Sequence, residues 1–540
     1  MTTTTTTQTE INRQARAKAQ AMLEGIAVKP TGQVEYRSRG HVAVIGGPEA
    51  LEVVTRLHGT HKTTIVLLHG AEEPSVAIIP LADRRLVLDG YLGNFHLSFG
   101  EVGKPNYETL SVDLVLDLSE TPILSVPLPP PGYVHATLDE DSLSQAQMQL
   151  SAMIGSFTKP RYFDYDASIC AHGRAGQVGC NRCIEACPAE AITALVESIE
   201  VNPHLCQGGG VCASVCPSGA IRYVYPTASD MLDRIRNILQ VYRQHDGQQP
   251  ILAFVAEADM ESLPPIPSNM LTMVVEEVAS IGLEVWLASL SYGAQRVLLF
   301  DGGNIALRVR DGLETQLHTA AEVLRGLGYR EDAVAWINGA GLSAACVDSV
   351  PNMPAATFAG LNDKRRVAFM AMDHLFSHSP APQDIIPLSS GAAFGHLAVD
   401  SQACTLCMSC TSVCPTHAVF AGNDLPRLVF NEPQCVQCGI CAAACPEQAI
   451  TLQPRLLADP ELRQRHVTLH EEPALCCVSC GKPFATQSVV NTMLAKLEGH
   501  WMFQNERAKR RLLMCEDCRV VDIVQDPDAM QQGYTAPHRQ

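Results

Sequence analysis

The sequence predicts a multidomain α+β protein, and three observations carry that prediction. The first is cysteine spacing. Cys404-x2-Cys407-x2-Cys410-x3-Cys414-Pro415 is followed by Cys435-x2-Cys438-x2-Cys441-x3-Cys445-Pro446, and an altered version of the same pair occupies 170–217. Such spacings make small modules organised by sulfur rather than by a large apolar core. The second is alternation: the stretches 21–135 and 227–345 swap short strand-like apolar runs with helix-like runs, the pattern of small parallel α/β domains. The third is a pair of separated Cys-x2-Cys knuckles, Cys477/Cys480 and Cys515/Cys518, which mark a compact ribbon-like element near the end. A chain of 540 residues has room for roughly three to four domains.

Residues 2–7 are all threonine, low-complexity text that predicts a disordered tail over 1–20, although 13–23 has the composition of a short helix. From His41 the chain reads strand (41–47), helix (48–57) and strand (64–68), with Pro48 suited to a first helical turn. A strand–glycine–helix run invites a dinucleotide reading. Only Gly46-Gly47 is present, however, and His69-Gly70 ends the second strand with no acid for a ribose hydroxyl. The 21–135 unit is therefore read as structural. Further strands are expected at 86–88, 95–99 and 113–118. Pro127-Leu-Pro-Pro-Pro131-Gly132 closes the domain as a stiff exit, and 139–157 predicts a helix within a linker over 136–160.

The first cysteine-rich module, 161–226, departs from the regular spacing. Where that spacing is intact, as in bacterial ferredoxins, three thiolates on one loop hold one 4Fe–4S cubane. The fourth, set before Pro, crosses to the partner cluster. Cys180-x2-Cys183-x3-Cys187-Pro188 keeps the rear of the motif, with Gln177 where its first Cys would stand. Cys170 lies upstream across a loop with three glycines that lets it fold back. The second motif, Cys206-x5-Cys212-x3-Cys216-Pro217, has Gly209 in place of a Cys. The crossing rule then gives site I, Cys170, Cys180, Cys183 and Cys216, a full 4Fe–4S set. It gives site II, Cys206, Cys212 and Cys187, one thiolate short. Site II has three readings: a 3Fe–4S cluster, a 4Fe–4S cluster with a non-Cys ligand, or no cluster. The retained register favours an occupied site, with 3Fe–4S the preferred form. His172 and His204 lie close in sequence, and solvated loop histidines are the simpler reading of both.

After Tyr225-Pro226 no Cys occurs until Cys346. Residues 231–244 read as a helix and 250–256 as a buried strand. Residues 278–290 read as a helix with Val278, Ile281, Val285 and Ala288 on one face. A strand at 296–300, the turn Asp301-Gly-Gly303 and a helix at 313–327 stopped by Gly328 follow. This makes a second small parallel α/β domain over 227–345. With Ser291-Tyr-Gly-Ala-Gln-Arg-Val-Leu-Leu299, Gly303-Asn304 and the Ala306/Arg308 pair, residues 248–330 resemble the delta subunit of methyl-viologen-reducing hydrogenases. That family carries a two-iron cluster on Cys residues, and this segment has none. The resemblance implies the fold kept as a docking or spacer domain. Residues 346–398, rich in Pro, Ser and Ala, read as a linker.

In the second module, 399–455, both motifs are intact. Site III is Cys404, Cys407, Cys410 and Cys445; site IV is Cys435, Cys438, Cys441 and Cys414. Structural zinc or disulfides do not call for eight Cys in two identical, Pro-terminated quartets. The endings Cys187-Pro-Ala-Glu-Ala-Ile192 and Cys445-Pro-Glu-Gln-Ala-Ile450 resemble polyferredoxins. Together with Cys170-Ala-His172 and the terminal knuckles, the chain resembles ferredoxin-type proteins that accompany bacterial molybdenum formate dehydrogenases. That resemblance implies a cytoplasmic electron carrier or relay subunit, with a redox protein such as formate dehydrogenase as partner.

Cys477, Cys480, Cys515 and Cys518, within 475–521, read as a zinc-ribbon-like quartet, with Cys476 as a spare neighbour; mononuclear iron or a further cluster is the competing reading. A helix is expected at 489–498. The basic run Arg507, Lys509, Arg510 and Arg511 reads as a solvated helix face or a patch for a protein partner. Residues 522–540 read as a tail.

Composition narrows the function. Lys+Arg of 39 against Asp+Glu of 57 gives a net charge of −18, a surface that repels phosphate backbones, so nucleic acid is not an expected partner. The N-terminus lacks the apolar core of an export signal, and nearly all of the 21 Cys fall in metal-type clusters, which fits a reducing cytoplasm. No apolar run reaches membrane-spanning length, so no membrane insertion is expected. Three function classes are open: an electron-transfer protein, which the cysteines favour; a cluster-containing subunit of a catalytic oxidoreductase; and a maturation or assembly factor. No catalytic triad, flavin or nucleotide fingerprint, or Cys-x3-Cys-x2-Cys run supports the second, and the chain by itself is not read as an enzyme.

Overall fold

The computed structural model describes the chain except for residues 1, 26, 27, 29, 58–61, 69–77, 82, 83, 102–107, 343–352, 423–425, 501, 502, 504 and 528–540. His69-Gly70, Cys346 and most of the expected C-terminal tail lie outside the described residues.

The N-terminal domain is a parallel sheet with the strand order Ile78–Pro80, Lys62–Leu67, His41–Gly46, Leu114–Asp117, Tyr133–His135. Its central strand, His41–Gly46, is buried along nearly its whole length, as a strand covered on both faces must be. The helix Ala50–Leu57 and the helix Glu140–Ala152 cover one face. An antiparallel meander, Arg84–Tyr91, Asn94–Glu101 and Glu108–Val112, covers the other, packing Phe95, Leu97 and Phe99 against Ala43, Ile45 and Val115. Gly93 closes its first turn at φ +83, where any Cβ would strike the Arg37 carbonyl. The helix expected over 139–157 ends at Ala152. Phe157 instead belongs to the strand Gly155–Pro160, which pairs antiparallel with Gln33–Ser38 and leads into the first cysteine module.

The middle domain is a four-stranded parallel sheet in the order Met270–Val275, Ile251–Ala256, Arg296–Phe300, Val334–Ile337. Every residue of the helix Leu283–Ser291 is buried, including Trp286. The expected 278–290 helix divides into a short 3-10 turn at Val278–Ser280 and this helix, with Gly282 between them.

Two segments depart from the sequence reading in a way that reorganises the molecule. The expected disordered tail belongs to a helix, Thr2–Glu24, whose Ala15 and Ala19 are fully buried in the middle domain's core, beside the helix Ala228–Gln244. The expected linker 346–398 contains the helix Lys364–Ser377, which packs Val367, Ala368, Ala371, Met372 and Leu375 beside Leu283–Ser291. It also contains the strand Ile385–Pro387. The same apolar core takes in Ala186, Val211 and Val215 of the first cysteine module and Leu456 and Ala458 beside the second. Both modules therefore rest on one scaffold. No helix among the described residues is long and apolar enough to cross a membrane.

Candidate iron–sulfur and metal centres

In the second module the strands Gly395–Val399 and Ile450–Leu457 form one antiparallel pair, and Val419–Ala421 and Arg427–Phe430 another. The ligand loops lie between them. After Cys404 the backbone turns left-handed at Leu406 and Met408; after Cys435 it does so at Gln437 and Gly439. Each loop then runs into a one-turn helix, Ser409–Val413 or Ile440–Ala443. This curl points three sulfurs inward from one short stretch. Backbone N–H groups of Ala418 and Ala449 donate to the Sγ atoms of Cys414 and Cys445 at 3.2 and 3.3 Å. Gln437 Nε2 donates to Cys435 Sγ at 3.3 Å. Such donors tune cluster potentials.

The thiols crowd one another. Burial pushes the Cys410 thiol up to about 12, and Cys404, Cys407 and Cys445 add to the effect. Burial also raises Cys441, followed by Cys438, Cys435 and Cys414. The first module is crowded in the same way. Cys183 is raised by burial and then by Cys216, Cys180 and Cys170; Cys212 is raised by burial, then by Cys206 and Cys187. Buried thiols crowded in this way do not ionise on their own. A bound cationic iron core would supply the charge that makes them thiolates. The donor set, thiols crowded on short loops, thus fits iron–sulfur clusters in its chemistry.

The altered loops of the first module are explained locally. Gly173–Arg174 and Gln177–Val178 form a tight hairpin, closed by left-handed Ala175 and Gly176. Cys180 N donates to Ala171 O at 2.8 Å, so the hairpin brings Cys170 back to Cys180. A small cavity is walled by all four site I cysteines, with Tyr165 and Ile221. At site II, Gly208 and Gly210 are left-handed at the same offsets from Cys206 as the pair that follows Cys404. The loop keeps the curl of an intact motif. A Cβ built on Gly209 meets nothing within 4 Å, so the place of the missing Cys is open space.

Neither histidine is a solvated loop residue. His172 is buried, and its ring nitrogens face the carbonyls of Cys180 and Leu195 at 3.2 and 3.1 Å. His204 stacks on Tyr91 at 4.2 Å between centroids, at the seam with the N-terminal domain. Beside it, Lys159 Nζ donates to the carbonyls of His204 and Cys206 at 3.0 and 2.6 Å. Burial lowers the Lys159 ammonium to about 8 against the opposing pull of Cys206.

Sequence reasoning missed Arg365, in the second position of the helix Lys364–Ser377. Its Nε and Nη2 donate to Pro433 O at 3.1 and 2.8 Å, and Nη2 also donates to Cys435 O at 3.0 Å. Nη1 donates to Ala393 O at 2.9 Å and to Pro217 O at 3.3 Å. The guanidinium lies over the rings of Phe369 and Phe394. Burial lowers its pKa to about 10. The available sequence signal was the capping residue Asp363, which accepts from Arg366 N ahead of an apolar helical run.

The C-terminal knuckles behave differently. The sulfurs of Cys477, Cys480, Cys515 and Cys518 all lie within 4.8 Å of one another, and Cys480 and Cys515 are 3.7 Å apart. A tetrahedral ion with metal–sulfur bonds of 2.3 Å needs sulfurs about 3.8 Å apart, so this quartet fits one ion and is too tight for a cubane. Burial raises Cys477, but N–H groups of Cys480, Cys515 and Ser479 outweigh it and hold the thiol near 6. Three of the four basic residues are ion-paired, Arg507 and Arg511 with Asp522 and Asp526 and Lys509 with Glu506, which removes most of the run from any simple cationic patch.

Residues 396–450 match a family model described as a 4Fe-4S dicluster domain, and residues 178–220 match a second model of the same description. Cys170 lies outside the second span. No curated protein matches the chain. The chain therefore carries two 4Fe–4S dicluster domains of ferredoxin type, and it is an iron–sulfur protein suited to electron transfer.

Proposed function

We propose that the chain is a polyferredoxin-type relay that passes single electrons between redox partners. Sites I, III and IV would each hold a 4Fe–4S cluster on the four cysteines named for them. Site II, on Cys206, Cys212 and Cys187, would hold 3Fe–4S. The knuckle quartet would hold a structural zinc ion. The observation that carries the reading is the pair of 4Fe-4S dicluster domain matches, and the left-handed curl after Cys206, Cys404 and Cys435 and the cavity walled by the four site I cysteines support it.

When bound, iron–sulfur clusters supply reversible one-electron chemistry. The chain's own residues do the rest. The left-handed loop positions aim the sulfurs inward, and Gln437, Ala418 and Ala449 donate to sulfur. The apolar shell around Leu397, Val419 and Phe430 excludes water, which tunes potential. For site II the open space at Gly209 supports a cluster with one iron fewer, because both nearby histidines are engaged elsewhere. For the knuckles the 3.7 Å sulfur separation supports a mononuclear ion.

A formate dehydrogenase is the partner class that the sequence resemblance names. The experiment is stopped-flow mixing of anaerobic, oxidised protein with a formate dehydrogenase and formate, followed at the visible thiolate-to-iron band. Rapid bleaching that needs both enzyme and formate supports the pairing. Bleaching by dithionite but not by that enzyme keeps the relay and removes this partner.

A further inference from the structure

Arg365 is half-buried, and among the described residues no carboxylate forms an ion pair with it. The nearest acid in sequence, Asp363, is exposed and caps the helix. Arg365 spends its donors on carbonyls from both cysteine modules, Pro217 next to Cys216 of site I, and Pro433 and Cys435 at site IV. Lys364 grips the first module just upstream, donating to Ala213 O at 2.8 Å and to Ser214 O. The two modules also touch directly. A Cβ on Gly179, beside Cys180, would stand 2.5 Å from Ile440 Cγ1, between Cys438 and Cys441. In sequence this contact is flanked by Cys180 of site I and by Cys438 of site IV.

Resting on the relay reading above, we propose that Arg365, bridging carbonyls beside Cys216 and at Cys435, is the positioning residue of a junction at which sites I and IV face each other, and that its fixed charge acts on the anionic clusters those sites would hold. A 4Fe–4S core held by four thiolates is a net anion in both redox states, and a fixed cation beside it favours the reduced, more negative form. The first module carries sites I and II in one core and the second carries sites III and IV in another, so the junction joins the two pairs of centres. An electron from a one-electron donor at either end crosses between modules at the Cys180–Cys438 edge, one side being oxidised as the other is reduced.

The test is a potentiometric titration of the full-length, cluster-loaded protein followed by electron paramagnetic resonance, for wild type, R365M and R365K. Loss of the charge in R365M moves two of the reduction waves to more negative potential and leaves the others in place, at unchanged iron content. R365K, which keeps the charge, restores those two waves toward wild type. R365M with full iron and unmoved waves overturns the proposal while leaving the relay reading intact; iron-free wild-type protein would instead sink the relay reading. Should R365M not fold, fully reduced wild type decides. Spin–spin interaction running across both modules supports the junction, and a spectrum that is the plain sum of two separate two-cluster modules overturns it.

Discussion

At the scale of single residues, the two dicluster motifs were legible because a cluster ligand must sit at a fixed offset from its neighbours on the same short loop. Gly209 extends this logic. The open space at its Cβ position predicts that Gly209→Cys supplies the absent ligand and converts site II to 4Fe–4S. Air-oxidised wild type should then show a three-iron paramagnetic signal that the variant lacks, with iron rising by one atom per chain. Arg365 was not legible, since its carbonyl partners lie on loops distant in sequence and only the fold joins them. Protonation offers a second prediction. Burial lowers the His41 pKa below 6.5, with Lys62 adding and Asp113 opposing. Above pH 6.5 the ring is neutral in folded and unfolded chains alike. As pH falls through 6.5 the unfolded chain takes up a proton that the folded one resists, so stability declines until the lower folded pKa is passed. Urea unfolding monitored across pH 7.5–5.5 should be measurably flatter for His41→Gln.

At the scale of elements, strands were the easier part to read. The buried run 251–256 and the strand 296–300 are continuous apolar text, and they fold as Ile251–Ala256 and Arg296–Phe300. Helices that depend on tertiary packing were harder. A threonine run argues against helix on local propensity, yet the Ala15/Ala19 stripe finds a groove beside Ala228–Gln244, and packing outweighs propensity. The helix Lys364–Ser377 was hidden by its Pro- and Ser-rich flanks. Two substitutions test these contacts. Leu287→Ala, in the fully buried helix Leu283–Ser291, should cost about 2–5 kcal/mol in chemical denaturation. Ala19→Asp places a lone carboxylate in the same core and should expose the N-terminal helix to limited proteolysis while the visible spectrum stays unchanged.

At the scale of the whole molecule, two sulfur-organised modules sit on one apolar scaffold and the knuckle element is tied to the second of them. Thr486 Oγ1 donates to Thr405 O at 3.1 Å, inside the site III loop. The knuckles are nevertheless a separate metal problem, with sulfurs too close for a cubane. Cys515→Ser should therefore lose one equivalent of zinc and leave the visible absorption of the clusters in place. The measurement that bears most directly on the relay is an anaerobic reductive titration of purified, full-length protein with parallel iron and sulfide analysis. The account predicts roughly fifteen irons per chain, a broad visible band that bleaches in one-electron steps, and full recovery on reoxidation. Colourless protein with its cysteines on zinc or in disulfides, or clusters that neither take up nor return electrons, would contradict it.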